Sequence, residues 1–320
     1  MPSTKNAWTE FKPMFNSKKA MKKLVIFSDL DGTLLDHDSY SWAAAKPALD
    51  RLKKQNIPVV FNTSKTLSEV LPLQLEMALD HPFITENGMI TTIPANYFQS
   101  SDTDKNTHYF HGQPYRAIRR VLKQFREHYG FRFRGFGDCS HSEIADLSGL
   151  SLEEAKLAAD RKASEPLIWE DSAQALELFE KQLTKEGLHL TRGGRFYHVS
   201  GKGDKGSAAK KLFKHYLKSF PDWQWLSMGL GDSFNDLPML EVVDIPVLVR
   251  SEKSKQPAIE HLSDIKYTKS VGPEGWNEAV LEILNSVQEG HQPVCSEQDS
   301  SLQDSSLQDS SLQDSSLQEV

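Results

Sequence analysis

VIFSDLDGTLLD, residues 25–36, decides how this chain folds. A run of strand-forming hydrophobic residues ends in two aspartates, Asp29 and Asp31, separated by one position. Alternation along a strand sends residues i and i+2 to the same side. Two ionised carboxylates so placed repel, and withdrawal from water strengthens the repulsion. The arrangement calls for a compensating charge, and a divalent cation is the usual one.

Outward from this stretch, strand and helix alternate. KLVIFSDL reads as a buried strand, SWAAAKPALDRLKKQ as a helix, IPVVFNTS as a second strand and LSEVLPLQLEMAL as a second helix. PFITENGMITTI reads as a strand that turns at Asn87-Gly88 into a hairpin. Farther on come AAKKLFKHYLKSF (helix), WLSMGLGD (strand), SFNDLPMLEVV (helix) and IPVLVR (strand). Such alternation predicts an α/β fold, a Rossmann-like three-layer core with a parallel sheet covered on both faces. The middle of the chain is richer in charge and aromatics, and reads as an inserted α+β domain. The expected organisation is a flexible N-terminal extension (1–21), core (22–90), insert (91–196), core again (197–288) and a disordered tail (289–320). The tail repeats SSLQD, with one leucine per repeat and too little apolar surface for a core.

Bulk properties narrow the classes. No apolar run approaches the roughly 20 residues of a membrane span. The N-terminus is polar, carries Glu10 and lacks an apolar signal core, which argues against secretion or a transit peptide. Cys139 and Cys295 make no disulfide framework, and a reducing cytoplasm is the simplest expectation. The net charge of −7 comes mostly from six acidic residues in 291–320, a segment with no Lys or Arg. The rest is nearly neutral, so binding to nucleic acid has no electrostatic support.

The residues that carry chemistry fall at the ends of elements. Ligands of an open parallel sheet sit beyond the carboxyl ends of its strands. Asp29 and Asp31 follow the first strand, Thr63 and Ser64 the second (NTSKT), and Asp232 and Asp236 a later one (GDSFND). Lys205, in GDKGSA, opens a helix. Carboxylates, hydroxyls and one lysine gathered there suit phosphoryl transfer through Mg²⁺. Blander readings stand beside this one: Thr63 as a helix cap, Asp236 as a helix N-terminal acid, and Lys205 as a solvated surface lysine.

DLDGTLLD, NTSKT, GDKGSA and GDSFND, in that order, resemble the motif set of the haloacid dehalogenase superfamily. The resemblance implies Asp29 as nucleophile, forming an aspartyl phosphate, and Asp31 as general acid/base. It implies Mg²⁺ bound by Asp29 and Asp232 and by the Asp31 carbonyl. Thr63 would hydrogen-bond the phosphoryl group, Lys205 would stabilise its charge, and Asn235 and Asp236 would orient the lysine or the metal's water. The insert resembles a type C2 cap. TENGMI, RKASEPLIW, TRGGRFYHVSGKGDKG and GPEGWNEAV further resemble the mannosyl-3-phosphoglycerate phosphatase family, from about Lys22 to Leu284. That resemblance implies a small phosphorylated glycoside as substrate, with no nucleic acid or membrane as partner. Ser64, Lys65, Arg161, Arg192 and Arg195 are then expected at its anionic groups, and Ser164, Glu165 and His198 at its hydroxyls. Trp169 and Phe196 are expected to stack on the sugar. For each cap residue taken alone, fold support is the competing reading, and Gly193-Gly194 could be a plain hairpin turn. Other functional readings are another C2-capped sugar phosphatase of the sucrose-phosphate type, a non-catalytic sugar-phosphate sensor and a receiver-type phosphoacceptor. The intact Asp31 argues against the sensor and the large insert against the receiver.

Overall fold

The structure is a computed structural model and describes residues 22–98, 104–193, 195–252, 259, 262 and 264–289. The expected N-terminal extension, and all of the expected tail beyond Glu289, lie outside the described residues.

The first core segment runs β1 (Lys22–Ser28), α1 (Lys46–Lys54), β2 (Val59–Phe61), α2 (Leu67–Glu76), β3 (Phe83–Thr85), β4 (Ile90–Ile93) and β5 (Thr107–Phe110). The insert follows: α3 (Tyr115–Tyr129), β6 (Phe133–Gly135), α4 (His141–Ser148), α5 (Leu152–Ala159), β7 (Ser164–Trp169), α6 (Ala173–Lys185), β8 (Leu188–Arg192) and β9 (Tyr197–Gly201). The chain then returns to the core through α7 (Lys205–Ser219), β10 (Gln224–Gly231), α8 (Leu237–Leu240), β11 (Ile245–Arg250), β12 (Lys266–Val271) and α9 (Gly272–Glu289).

Five parallel strands form the main sheet in the order β12-β11-β10-β1-β2. β1 lies between β10 and β2, paired with β10 from Lys22↔Gln224 to Ser28↔Leu230. It is hydrophobic on both sides because both faces of the sheet are covered. Leu24 and Ile26 pack with Leu49, Val70, Trp276 and Ile283 of α1, α2 and α9. Val25 and Phe27 pack with Leu212, Tyr216 and Met239 of α7 and α8. The alternation read from the sequence thus becomes three layers, as expected.

Two boundaries differ from the sequence reading. The insert was expected from residue 91, but β4 and β5 form an antiparallel sheet with β3. Ile84, Ile93 and Phe98 join the core cluster beside α7. β4 is buried along its whole length, so this hairpin extends the core rather than leaving it. The second core segment was expected from residue 197, but β9 pairs antiparallel with β7 and β8 in the insert's own sheet, order β6-β7-β9-β8. The insert therefore ends after Gly201. The helix expected over 233–243 shortens to α8, four residues after a 3-10 turn. The insert has its own apolar centre, in which Phe125, Phe131, Phe133, Leu167 and Phe179 meet. An α+β cap built on a separate core is the expected architecture.

Local signals place the functional ends of the elements. α2 starts with a capping box: Glu69 N donates to Thr66 Oγ1 (3.1 Å) and Thr66 N to Glu69 Oε2 (2.7 Å). α7 starts at Lys205 because Asp204 Oδ1 accepts from Ser207 N at 2.6 Å. The turn after β3 holds Glu86, Asn87 and Gly88 at φ 51°, 57° and 94°. Gly88 is required there twice over, by its φ and by the carbonyl of Asp204, which a Cβ would meet at 2.2 Å.

Candidate active site

β1 and β10 deliver Asp29 and Asp232 side by side at the carboxyl edge of the sheet, and Asp29 N donates to the Leu230 carbonyl at 2.9 Å. Gly32, at φ 78°, lets the chain turn back beneath Asp232, whose Oδ2 a Cβ would meet at 2.9 Å. Thr33 Oγ1 reaches Asp232 Oδ1 at 3.5 Å. Lys205 enters from α7 and bridges Asp29 Oδ1 (2.7 Å) and Asp236 Oδ1 (2.6 Å) with its ammonium. Asp236 Oδ2 in turn accepts the amides of Asp232 (3.1 Å) and Ser233 (3.0 Å), which fixes the loop carrying Asp232. Asn235 donates to Asn87 Oδ1 at 3.2 Å.

All these charges are buried. Burial, reinforced by the charge of Asp236, pushes the Asp29 carboxyl well above the usual range, with Lys205 pulling the other way. Burial works against the Lys205 ammonium, but Asp236 and Asp29 outweigh it and hold the lysine above its ordinary value. Among the described residues, Asp29, Asp232 and Asp236 have carboxylate oxygens within 4.8 Å of one another. Three buried carboxylates against one buried ammonium leave negative charge uncompensated. An all-oxygen donor set with that surplus fits a hard divalent cation, with Asp29 and Asp232 the residues to hold it.

Thr63 is fully buried at the end of β2. Its Oγ1 accepts from Lys65 N (3.2 Å) and its N donates to Ile84 O (3.0 Å). The helix cap is therefore Thr66, not Thr63. Lys65 Nζ lies 2.9 Å from Asp31 Oδ1, 3.8 Å from Glu69 Oε1 and 4.9 Å above the Tyr40 ring. Burial opposes its charge, and Asp31 with Glu69 overcomes that opposition.

Above this floor opens a cleft roofed by the cap. Asp29, Asp31, Ser64, Lys65, Asp232 and Asn235 line it from the core, and Arg161, Arg195, Phe196 and His198 from the cap. Arg161 is buried, donating through Nη1 to Ser64 O (2.7 Å) and through Nε to Ala158 O (2.9 Å). Arg195 is exposed and donates to the Ser148 carbonyl. His198 is buried, with Nδ1 lacking a protein partner. Burial, then the nearby Arg161 and Lys205, lowers its pKa to about 3, so the ring is neutral.

Other expected contacts lie elsewhere. Glu165 is fully buried inside the cap, where Tyr115 OH (2.7 Å), Arg119 Nη1 (2.8 Å) and Gly137 N (3.0 Å) take its carboxylate. Ser164 is fully buried, its hydroxyl spent on Glu86 Oε2 at 2.7 Å. Arg192 is exposed outside the cleft, over the Tyr197 ring. Trp169 stacks on Phe133 in the cap interior, whereas Phe196 does reach the cleft. Gly193 N closes the β8–β9 turn on Phe196 O (2.9 Å), and Gly194 lies outside the described residues. Sequence reasoning missed Tyr40, Glu69 and Glu86. The signals were present: S/T-x-x-E marks Glu69 as a capping-box acid, and Glu86 is a charge set directly before Asn-Gly between two hydrophobic strands.

A profile of haloacid dehalogenase-like hydrolases matches residues 26–260. The chain belongs to the haloacid dehalogenase-like hydrolase family. Two relatives of this hydrolase are named glucosyl-3-phosphoglycerate/mannosyl-3-phosphoglycerate phosphatase. The one from Methanococcoides burtonii is 40% identical over 267 residues, covering 82% of this chain and 97% of the relative. The one from Persephonella marina is 42% identical over 275 residues, covering 83% and 99%. Among solved structures, the hydrolase is similar to a haloacid dehalogenase-like hydrolase from Bacteroides thetaiotaomicron (TM-score 0.57, 18% identity, 82% of this chain and 99% of that one). It is also similar to a sucrose-phosphatase from Synechocystis solved with sucrose and phosphate (TM-score 0.55, 17% identity, 84% and 99%). At those identities the likeness speaks for the fold. No helix among the described residues is long and apolar enough to cross a membrane.

Proposed function

We propose that this hydrolase removes phosphate from a hexosyl-3-phosphoglycerate, leaving the hexosylglycerate. The carrying observation is the meeting of Asp29 and Lys205, 2.7 Å apart, at the floor of a cleft roofed by Arg161, Arg195 and His198. The names of the two 40–42% identical relatives support the substrate class.

In this reading an Asp29 oxygen attacks phosphorus, and the bond from phosphorus to the glycerate oxygen breaks. Asp31 gives its proton to the departing oxygen. The aspartyl phosphate splits one difficult displacement into two easier ones. Asp31, now a carboxylate, takes a proton from water as that water attacks phosphorus and the bond to Asp29 breaks. Lys205 holds Asp29 aimed and stabilises charge on the phosphoryl oxygens. Lys65 keeps Asp31 in place. A divalent cation bound by Asp29 and Asp232 would neutralise phosphate charge and relieve the repulsion among the acids. The core grips only the phosphoryl group, so the sugar must be recognised by the cap. Neutral His198 suits a hydroxyl better than an anion.

The test is phosphate release from a panel holding both hexosyl-3-phosphoglycerates, sucrose phosphate and free 3-phosphoglycerate. The expected order puts a hexosyl-3-phosphoglycerate first and free 3-phosphoglycerate far behind. Faster hydrolysis of sucrose phosphate overturns the reading.

A further inference from the structure

Glu86 reaches from the core into the cap. Its carboxylate accepts the amide of Lys162 (2.9 Å), the amide of Ala163 (3.0 Å) and the hydroxyl of Ser164 (2.7 Å). The side chain is fully buried, and its backbone is held at φ 51°, a conformation costly for a residue with a Cβ. A buried carboxylate on a strained backbone persists where its surroundings impose it. Here three donors face an acceptor-only group, a match that no neutral side chain provides.

The core side of the contact is tied down by backbone hydrogen bonds. Glu86 N donates to Lys65 O and Asn87 N to Thr63 O, each at 2.9 Å. The cap side carries the roof of the cleft. Arg161 directly precedes the clasped residues, and β7, which begins at Ser164, sets His198 opposite Pro166 in register. Ala163 packs on Met89 and Ile90 of the core. Other cross-links lie nearby: Arg161 Nη1 to Ser64 O (2.7 Å), Thr66 Oγ1 to Leu157 O (2.9 Å) and Ser68 Oγ to Asp160 Oδ2 (2.6 Å).

We infer that Glu86 is a positioning residue that seats the cap, so that Arg161 and His198 stand over Asp29 at the distance the glycosylated substrate requires. This inference rests on the hydrolase reading above. Glu86 does not line the cleft. It acts by fixing the height and tilt of the roof. A displaced roof weakens only substrates that touch it, and remote contacts so lost lower turnover as well as affinity.

The experiment is Glu86→Gln, which keeps shape but presents an NH₂ where a donor already points. Hydrogen exchange at the amides of Lys162 and Ala163 should quicken. The kcat/KM for the best hexosyl-3-phosphoglycerate should fall roughly 10-fold to 100-fold, since small misplacements at a site cost on that scale. Turnover of p-nitrophenyl phosphate, which needs no roof, should hold within about twofold. Ser164→Ala removes one donor of the three, and should show the same split at a smaller size. It carries the test if Glu86→Gln does not fold. Unchanged exchange at these amides overturns the inference, and so does an equal loss on both substrates. If wild type hydrolyses p-nitrophenyl phosphate but no hexosyl-3-phosphoglycerate, the substrate reading falls. The split is then measured with the panel glycoside phosphate it does hydrolyse, and the exchange measurement stands unaltered.

Discussion

Lys205 and Asp29 face each other at 2.7 Å, and Asp236 meets the same ammonium from the other side at 2.6 Å. The lysine is therefore an electrostatic keystone as well as a candidate stabiliser of phosphate. Removing it leaves two buried carboxylates uncompensated. Lys205→Met should abolish turnover and, without divalent ion, cost about 3–5 kcal/mol of stability. Urea denaturation checks this, and a stability equal to wild type would contradict the burial argument.

Asp29→Asn should separate chemistry from folding. The amide keeps an acceptor for Lys205 but is a poor nucleophile. Burial already penalises the Asp29 charge, so the neutral variant should melt no lower than wild type in chelator, while phosphate release disappears. Substantial residual turnover would remove Asp29 from the nucleophile role.

Mg²⁺ should raise the melting temperature as well as support activity. The buried acids repel until a cation joins them, so binding favours the folded state. Ion at 100 times its Kd adds about 2.7 kcal/mol. Asp232→Asn should lose most of this thermal response. Full activity after exhaustive chelation would refute the dependence.

Acid should weaken the fold through His198. Its folded pKa of about 3 lies below the ordinary 6.5. Between these values the unfolded chain binds a proton that the folded one refuses, so stability falls as pH drops through that window. The slope from this residue reaches about 1.4 kcal/mol per pH unit. His198→Asn should therefore lose roughly 1.4 kcal/mol less than wild type between pH 7.5 and 5.5 in urea titrations. Identical pH profiles would show that residue 198 is not the source.

The two cap arginines should differ. Arg161 is buried and Arg195 exposed. If both meet the substrate's anionic group, Arg161→Ala should cost about 2–5 kcal/mol in kcat/KM for the glycosylated substrate. Arg195→Ala should cost only about 0.2–1 kcal/mol. Steady-state kinetics on both variants, with p-nitrophenyl phosphate as control, gives the order, and a reversed order would move recognition to the cleft's outer rim.

That these residues gather at one floor was legible in the sequence because each part is local. A strand end presents Asp29 and Asp31, a capped helix start presents Lys205, and a short loop presents Asp232 and Asp236. The cap residues were legible only as a group. Glu165 and Ser164 carry plausible sugar-binding chemistry, yet their strand faces them toward Arg119 and Glu86. No local pattern says which side of a strand meets a ligand and which meets another domain. The boundaries slipped for a related reason. β4–β5 and β8–β9 are both antiparallel hairpins, and only their long-range partners tell which belongs to the core.

Trp276 Nε1 donates to Ser28 Oγ at 2.9 Å, across 248 positions of sequence, and Ser28 Oγ donates to the carbonyl of Asp29. Strand β1 likewise waits for β10. During synthesis at the ribosome, β1 and its aspartates emerge long before the strand and helix that flank them. The cap is contiguous in sequence and is complete while the core is still half made. Its closure entropy is spent first, and the core's long-range pairing comes last. A nascent chain cut short of α9 would hold a complete cap and all five strands of the main sheet, but one face of that sheet would lack the cover of Trp276 and Ile283, and Ser28 the indole that bonds it from that helix.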